Sequence, residues 1–396
     1  MNWLTQTIGV GLIIIAAIDI FITVLYPRTG NSIVSLPLGR GIWHVFRQLA
    51  RWTKSDRLMA YCGSVVLVVV AIFWIALFII GFALIVWSML GDEIVASSGK
   101  TPTDFGTAVY YSGFNFTTLG VGDFVPKTTT CRLLTILQSA LGFATFTVTL
   151  TYLLSVLNAL TQRNIFALSL HHRTGTGHTS PALRGQGKPL TKANAAELLL
   201  GWGMGGKFDN TKQDITNMAR DLLQLLESHN SYPVLHYFRF PEPHYSLARM
   251  LLITMDTATL IKTALCDREY KSLIHSTAVS ELQSSGLYTL KQLADSFLPQ
   301  GAIANAPAKL SASYSCETQW REWYYYVVRR LQSEGIKTPE DIETGADKYV
   351  SLRREWNDEV AAFAKHMAYR WSDVAPAESA ISASAFLLLK NSSQQK

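Results

Sequence analysis

The sequence FTTLGVGDFVP, from Phe116 to Pro126, lies between two long stretches of the chain that contain no charged side chain. In it, Gly120 and Gly122 follow two threonines and precede an aspartate. Glycine adopts backbone conformations that other residues avoid, so consecutive carbonyl groups of such a stretch can point the same way. Carbonyl oxygens in that arrangement can replace the water shell of a bare cation. The stretch therefore predicts an ion-coordinating loop.

The flanking stretches are long enough to span a bilayer. Residues 61–91 and 133–162 contain no Asp, Glu, Lys, Arg or His, and each exceeds the roughly 20 residues that a spanning helix needs. A third apolar stretch, Trp3 to Tyr26, is interrupted by Asp19 and lacks the basic start and cleavage site of a signal peptide, so we expect a retained helix. The chain is only 16% charged, below the roughly 25% of soluble proteins. The sequence predicts an all-α membrane protein with three spanning helices.

Charge orients these helices. Residues 27–57 carry six basic side chains against the single acid Asp56: Arg28, Arg40, Arg47, Arg51, Lys54 and Arg57. An excess of Lys and Arg marks a cytoplasmic loop. We therefore expect a multi-pass protein of the cell membrane, located in the inner membrane of a bacterium. The N-terminus and residues 91–132 are expected outside, and the C-terminal domain is expected in the cytoplasm.

The outer segment is expected to re-enter the membrane. Thr101-Pro102-Thr103-Asp104 is typical of a helix start, with Thr101 as the N-cap, and an apolar helix through Ala108 and Phe114 follows. Non-helical backbone at membrane depth survives only where protein buries it or where it lines a polar path. The glycine-containing stretch after this helix is the candidate for such a path.

The motif resembles a known family. TTLGVGD, residues 117–123, resembles the selectivity filter of pore-loop potassium channels, usually TTVGYGD. Tyr110 and Tyr111 stand where this family often has an aromatic pair, Pro126 follows the motif as the family's proline does, and Gly142 is placed like its inner-helix glycine. The resemblance covers roughly residues 57–160 and is to the two-transmembrane type of prokaryotic channel, here with an extra N-terminal helix.

The resemblance implies a homotetramer, because one chain supplies one loop and the family's filter needs four. It implies ion-binding residues at Thr117, Thr118, Leu119, Gly120, Val121, Gly122 and Asp123, with potassium ions held at Thr118, Leu119, Gly120 and Val121. Val121 replaces the family's tyrosine, which braces the filter, so a non-selective cation channel remains the alternative to potassium selectivity. Asp123 either concentrates cations or holds the filter, through a hydrogen bond, to the pore helix, which is the predicted helix through Ala108 and Phe114 that precedes the motif.

Gating is expected along the third spanning helix. Gly142, Phe146, Leu150, Leu154 and Asn158 recur at four-residue intervals, so they share one helix face that could line an inner cavity and its gate. Ordinary helix packing is the other interpretation. No predicted spanning helix carries a ladder of arginines, so voltage is not expected as the main stimulus.

Two features near the expected cytoplasmic side have a functional and a structural interpretation. Asp19 is an acid within a spanning helix, and we expect it to reach the membrane surface or to pair with Arg47 or Arg51, rather than to act as a sensor. Residues Gly41 to Trp52 have aromatic and aliphatic side chains on one helical face and basic ones on the other. They predict an amphipathic helix on the membrane surface.

The predicted organisation is an N-terminal transmembrane helix (1–27), a basic amphipathic loop (28–56), a pore domain (57–162), a linker (163–190), a helical cytoplasmic domain (191–374) and a tail (375–396). The linker histidines, His171, His172 and His178, are expected to be solvated rather than to bind metal. In the cytoplasmic domain, helical periodicity is found at Asn210 to Ser228, Ser246 to Leu265, Glu317 to Gln332 and Pro339 to Trp371.

Other functions find little support in the sequence. The glycine cluster Gly201 to Gly206 follows a helix-like run rather than a strand, which excludes a dinucleotide-binding turn. We find no P-loop, nucleophile elbow or HExxH pair and therefore predict no enzyme and no cofactor, with potassium ions as the permeant species. The basic residues are dispersed, which argues against nucleic acid as a partner.

Expected partners are membrane lipids, copies of the chain and an unidentified cytoplasmic ligand or protein that controls the gate. A non-conducting receptor and a membrane-anchored enzyme stay as alternative functions.

Overall fold

The computed structural model describes residues 2–26, 32–53, 55–175, 194–304, 315–376, 378 and 379. The chain divides into two compact units. The first, which we call the membrane unit, contains Met1–Leu160 and Asn230–Phe238. The second, the helical unit, contains Thr161–His229 and Arg239–Lys396. The chain therefore leaves the membrane unit, returns to it for nine residues and leaves it again.

The described residues of the membrane unit form helices and one two-stranded sheet, joined by short loops. Its elements are α1 (Asn2–Ile20) with a π-helical turn (Phe21–Leu25), α2 (Ser35–Thr53), α3 (Cys62–Trp87), β1 (Ile94–Ala96), α4 (Phe105–Phe116), β2 (Phe124–Pro126) and α5 (Thr129–Gly175), whose residues from Thr161 onward belong to the helical unit. Within the described residues, three helical stretches are long and apolar enough to cross a membrane: Trp3–Leu25, Arg57–Trp87 and Thr129–Thr174. They correspond to the three predicted spanning helices, and the all-α membrane fold is confirmed.

Small residues let α1 and α3 pack with their backbones in contact. A Cβ atom on Gly81 would lie 2.9 Å from the carbonyl oxygen of Gly9 and 2.8 Å from the side chain of Ile13, so neither helix could approach so closely with a larger residue at Gly81. Beside this contact, Ala16 of α1 joins a buried cluster with Phe78 and with Phe116, the last residue of α4. The N-terminal helix thus belongs to the core that supports the end of α4.

The segment Asn230–Phe238 packs within the membrane unit, although the sequence analysis assigned it to the cytoplasmic domain. The ring of Phe238 fills the space beside Gly63 at the start of α3, 2.5 Å from where a Cβ would stand. The ring of Tyr237 lies in the same way against Gly39 of α2. Two glycines of the membrane unit therefore leave space against which two aromatic rings pack. These are long-range contacts that local periodicity does not encode.

The helical unit contains α6 (Ala195–Trp202), α7 (Thr211–Ser231, whose last two residues belong to the membrane unit), α8 (Leu247–Ala264), α9 (Asp267–Ile274), α10 (Thr277–Phe297), α11 (Ser315–Ser333), α12 (Ile342–Arg354), α13 (Asn357–His366) and α14 (Trp371–Val374). Every residue of α8 except Lys262 is buried, which identifies it as the central helix. The predicted helices near α7, α8 and α11 are present. The single stretch predicted from Pro339 to Trp371 is divided among α12, α13 and α14.

The core of the helical unit contains a buried charged cluster. The Arg353 guanidinium lies 2.8 Å from a Glu378 carboxylate oxygen and donates a 2.6 Å hydrogen bond to the Tyr349 hydroxyl, which in turn donates to Asp256 at 2.5 Å. Trp323 Nε1 donates to the other oxygen of Asp256 at 3.0 Å. Burial raises the pKa of Asp256 and also that of Glu378, the latter to about 7, while the Arg353 charge opposes both shifts. Two carboxyl groups share one guanidinium, so the cluster favours holding a proton.

The predicted linker, residues 163–190, does not begin where the sequence suggested. Helix α5 continues without interruption to Gly175, and residues 176–193, including His178, lie outside the described part of the chain. His171 is half-buried on this helix and stacks on His244 with 4.5 Å between ring centroids, so the expectation of a solvated side chain is wrong for it. His172 is exposed. Among the described residues no group of three or more His, Cys, Asp or Glu is arranged to hold a metal.

Candidate ion-binding loop

The loop between α4 and β2 has an unusual backbone. The φ angles of Thr118, Gly120 and Gly122 are +57°, +61° and +83°, so every second residue is left-handed. Such alternation turns successive peptide planes in a way that lets their carbonyls share one side. Positive φ is costly for a β-branched residue, about 1–3 kcal/mol, and strain of this kind clusters at functional sites. Thr118 is one of three non-glycine residues with positive φ in the described part of the chain.

The amide groups at the start of the loop point towards α4. The N–H of Thr118 donates to Asn115 O at 3.1 Å and that of Leu119 to Phe114 O at 2.8 Å. In the described part of the chain no donor bonds to the carbonyl oxygens of Leu119, Gly120 or Val121, and residues 117–123 are exposed in the single chain. These oxygens are therefore available to a ligand.

Helix α4 begins at Phe105, three residues later than expected. Its N-cap is Asp104, whose carboxylate accepts from Thr107 N at 3.0 Å and from the Thr107 hydroxyl at 2.8 Å. Thr101, the predicted cap, instead accepts a hydrogen bond from Ala96 N of β1. The other end of α4 stops at the base of the loop, where the carbonyl-rich terminus of a helix favours positive charge.

Polar side chains of α5 hold the end of α4 in place. Gln138 Nε2 donates to Ser112 O at 2.8 Å, and Ser139 Oγ donates to Asn115 O at 3.0 Å. These two contacts tie the last turns of α4 to α5. The sequence analysis missed both residues; the signal that could have found them is a glutamine within a stretch free of charges.

Gly142 of α5 lies directly against the last residue of α4. A Cβ atom there would stand 2.8 Å from the Phe116 carbonyl carbon and closer still to its oxygen. Real Cβ atoms do not approach backbone so closely, so a side chain at this position would separate the two helices. A role of Gly142 in gating stays a prediction; its packing role follows from this geometry.

The remaining predicted gating residues are uncovered in the single chain. Phe146, Leu150 and Leu154 are 66%, 46% and 54% exposed, and Asn158 is exposed as well. They lie on one face of α5, as their spacing predicted. Large apolar side chains left open in this way are available to line a cavity, to contact copies of the chain or to meet lipid.

Asp123 is held by the helix before the loop. The Tyr110 hydroxyl donates to Asp123 Oδ2 at 2.8 Å, and the Asp123 carbonyl accepts from Ser97 N at 2.8 Å. Strand β2 directly after it pairs with β1, with Val125 opposite Val95. Of the two interpretations of Asp123, the structure supports a hydrogen bond to the pore helix. This contact braces the loop two residues beyond Val121, the position that lacks the family's tyrosine.

Asp19 is fully buried, and its partners differ from those expected. Its carboxylate accepts from Val34 N at 2.8 Å and Trp74 Nε1 at 2.7 Å, and from the Ser35 hydroxyl. The expectation that it snorkels or pairs with a loop arginine is therefore wrong. Asp19 instead caps the start of α2, where free N–H groups favour a negative charge, and it ties α1 to α3.

Comparison with known proteins agrees with the loop and its surrounding helices. Residues 65–159 match the family model described as ion channel, a range that contains most of α3, all of α4 and the loop, and the first two-thirds of α5. The chain carries a pore-loop ion-channel domain. This assignment favours a channel over a membrane-anchored enzyme.

A curated relative is also similar to this chain. YdjJ of Bacillus subtilis (strain 168), described as an uncharacterized membrane protein, is 25% identical over 277 residues, which cover 69% of this chain and 74% of that protein. The similar region is longer than the membrane unit, so it extends into the helical unit. No solved structure matches this chain.

Proposed function

We propose that this protein is a tetrameric channel that conducts potassium passively through the loop Thr117–Asp123. One observation carries the proposal: the loop alternates left-handed residues, its first N–H groups donate to α4, and the carbonyl oxygens of Leu119, Gly120 and Val121 accept no hydrogen bond from the described residues. Rings of such oxygens replace the hydration shell of a cation. One chain contributes one loop, so four copies around an axis complete the rings.

Potassium is preferred over sodium in this proposal. The motif keeps the family's number of backbone oxygens although Val121 cannot form the tyrosine's hydrogen bond. The Tyr110–Asp123 hydrogen bond supplies a neighbouring brace. The alternatives are a non-selective cation channel and a non-conducting receptor on a channel scaffold.

Gating is proposed to be under the control of the helical unit, which we place in the cytoplasm with the N-terminus outside. Helix α5 continues unbroken from the channel domain to Gly175 in the helical unit, and Asn230–Phe238 provides a second connection, since it is seated among α2, α3 and α5. A ligand or partner that favours one state of the helical unit would bias the gate by that difference in affinity.

The test is ion flux from purified protein in liposomes under a potassium and sodium gradient. We expect a reversal potential close to that of potassium; equal permeability would establish the non-selective alternative, and absence of flux would favour the receptor. Gly120→Ala should abolish flux, because alanine tolerates φ +61° poorly. Gly99→Ala is the matched control, since Gly99, like Gly120, has a positive φ and open space around a Cβ atom but lies outside the loop.

The assembly is tested separately. Mass measurement of the detergent-solubilised protein should give four chains. A population of monomers or dimers alone would contradict the tetramer whatever the flux.

A further inference from the structure

A cavity of about 190 Å³ lies in the helical unit between α5 and α7. Two polar contacts join the same two helices. Gln224 Nε2 donates to Gln162 Oε1 at 2.8 Å. The Arg173 guanidinium lies 2.9 Å from a carboxylate oxygen of Asp214. The helices are therefore held together while space for a small molecule remains between them, and ligand sites are usually preformed in this way.

The wall of the cavity on α5 carries a positive charge. Arg163 lines the cavity and is only 5% exposed. Its guanidinium carbon lies 5.6 Å from the centre of the Phe240 ring, a cation–π contact. A guanidinium presents its N–H groups in a fork that matches the two oxygens of a carboxylate. Arg163 therefore provides the cavity with a group suited to bind a carboxylate.

The wall on α7 carries a negative charge. Asp221 lines the cavity and is half-buried, and within the described residues no hydrogen bond or ion pair engages its carboxylate. Burial raises the pKa of this carboxyl group, while the charges of Arg220 and Arg173 oppose the shift. Arg173 is itself paired with Asp214, and Arg220 donates to Asn217. An ammonium group in the cavity would therefore stabilise the ionised form of Asp221.

The charges of the wall select the kind of ligand. An anion would be repelled by Asp221 and a cation by Arg163, whereas a zwitterion can place an opposite charge against each. Phe166 and Leu225, which are 6% and 3% exposed, add an apolar surface to the same wall. A cavity of ~150 Å³ holds benzene, so the cavity between α5 and α7 has room for a zwitterion with a small apolar side chain.

We propose that this cavity binds an α-amino acid with a branched apolar side chain, such as leucine. Its carboxylate contacts Arg163, its ammonium group contacts Asp221, and its side chain lies against Phe166 and Leu225. Binding itself does not depend on the proposed function. An effect on the gate does rest on that function, and it would arise because α5 is one unbroken helix from the channel domain to the cavity.

The experiment measures binding and flux on the same full-length protein. Isothermal titration calorimetry at pH 7 in detergent compares L-leucine with two analogues, leucinamide, which lacks the carboxylate, and 4-methylpentanoate, which lacks the ammonium group. Ion flux is then recorded in liposomes with and without leucine. The thermal midpoint of every variant is measured first, so that a loss of binding is not mistaken for a loss of folding.

Three substitutions alter the cavity. Asp221→Asn removes the negative charge, with Asp295→Asn at an exposed position of α10 as its control. Ser169→Leu extends an apolar side chain from a lining position into the space, with Ser284→Leu at an exposed position of α10 as its control. Arg163→Gln removes the positive charge, and it should bind leucine and leucinamide with equal affinity.

We expect wild type and both controls to bind leucine and to bind each analogue about tenfold more weakly, the effect of one lost hydrogen bond between charged groups. Asp221→Asn should weaken leucine binding by a similar factor, and Ser169→Leu should abolish it. The proposal is wrong if wild type binds no leucine with a Kd below about 1 mM, if either analogue binds as well as leucine, or if Ser169→Leu binds like wild type. Bound leucine in a protein without any ion flux would reject the channel function and leave the amino-acid site standing.

Discussion

Asp19 and Thr118 each occupy a place that their residue type usually avoids. Asp19 is a buried carboxylate in an apolar helix, and four donor groups, from Val34, Ser35 and Trp74, compensate for its loss of water. Thr118 has a left-handed backbone, and the hydrogen bond from its N–H group to Asn115 O helps to hold that conformation. At the scale of single residues, the protein tolerates a desolvated carboxylate and a strained backbone where hydrogen bonds maintain the geometry.

Asp19→Asn tests this network. An amide has one acceptor oxygen, and its NH₂ group would face a donor, so at least one buried hydrogen bond is lost. We expect destabilisation by about 1–3 kcal/mol, measured as a lower thermal midpoint of the protein in detergent. Trp74→Phe, which removes one donor and keeps most of the ring volume, should cost less. Equal stability of Asp19→Asn and wild type would show that the carboxylate contributes nothing.

Tyr110→Phe tests the brace beside the loop. Its hydroxyl donates to Asp123, and loss of this bond should destabilise the conducting loop by about 0.5–1.5 kcal/mol. The expected result is a shorter open time of single channels in planar bilayers. Tyr111→Phe is the control, because that hydroxyl contacts Thr135 on α5 rather than the loop. Similar shortening in both variants would mean that the effect is general to α4.

At the scale of elements, the contact between α4 and α5 determines where the loop stands. The end of α4 is held by Gln138 and Ser139 and lies against Gly142 without an intervening side chain. The stacked rings of Phe116 and Phe78, with 5.4 Å between centroids, close the opposite side against α3. A shift of α4 would therefore move the loop carbonyls.

Gly142→Ala should disturb this contact. The added methyl group collides with the Phe116 backbone, which cannot move without moving the loop, and over-packing typically costs about 1–3 kcal/mol. We expect loss of ion flux in liposomes and a lower thermal midpoint. Gly11→Ala is the control, since nothing lies within 4 Å of a Cβ there, and it should behave as wild type. Normal flux and stability of Gly142→Ala would contradict the close approach.

At the scale of the whole molecule, we expect the core of the helical unit to respond to pH. Its buried cluster holds Asp256 and Glu378 against the single guanidinium of Arg353. Because burial raises the pKa of Glu378 from 4.5 to about 7 in the folded protein, the folded state binds a proton more tightly than the unfolded chain does. Stability from this group is fully present below pH 4.5 and is lost as the pH rises through 7.

We therefore expect the thermal midpoint of the full-length protein in detergent to fall between pH 5 and pH 7.5. Glu378→Gln mimics the protonated side chain and should flatten this part of the profile. Glu281→Gln on the exposed side of α10 is the control and should keep the wild-type slope. A slope that is unchanged in Glu378→Gln would assign the pH dependence to other groups.

The two units are joined covalently at more than one point, and the proposed control of the channel would act through these points. Phe238→Ala would leave a cavity where the ring packs against Gly63, and truncation of a buried phenylalanine lowers the free energy of unfolding by about 3–5 kcal/mol. We expect a changed open probability at unchanged ion selectivity, because the loop is not touched. Tyr288→Ala, at a 56% exposed position on α10, is the control. Unaltered gating in Phe238→Ala would exclude the segment as a connection to the gate.

The sequence by itself determined the features that depend on neighbours along the chain. Three apolar stretches of sufficient length predicted the spanning helices, and the threonine and glycine pattern predicted the loop at residues 117–123. Both follow from local chemistry, since the length of an apolar run and the backbone freedom of glycine need no distant partner. Helices α7, α8 and α11 were predicted for the same reason, from their own periodicity.

The tertiary structure alone decided the features that depend on distant residues. Asp19 receives its partners because α2 and α3 converge on it, and Gly142 is needed because a backbone from elsewhere in the chain occupies the space of its side chain. Asn230–Phe238 packs with the membrane unit because Gly39 and Gly63 leave room for its rings. Such contacts bring together residues far apart in the chain, and periodicity, which records one helix face at a time, carries no information on what that face meets.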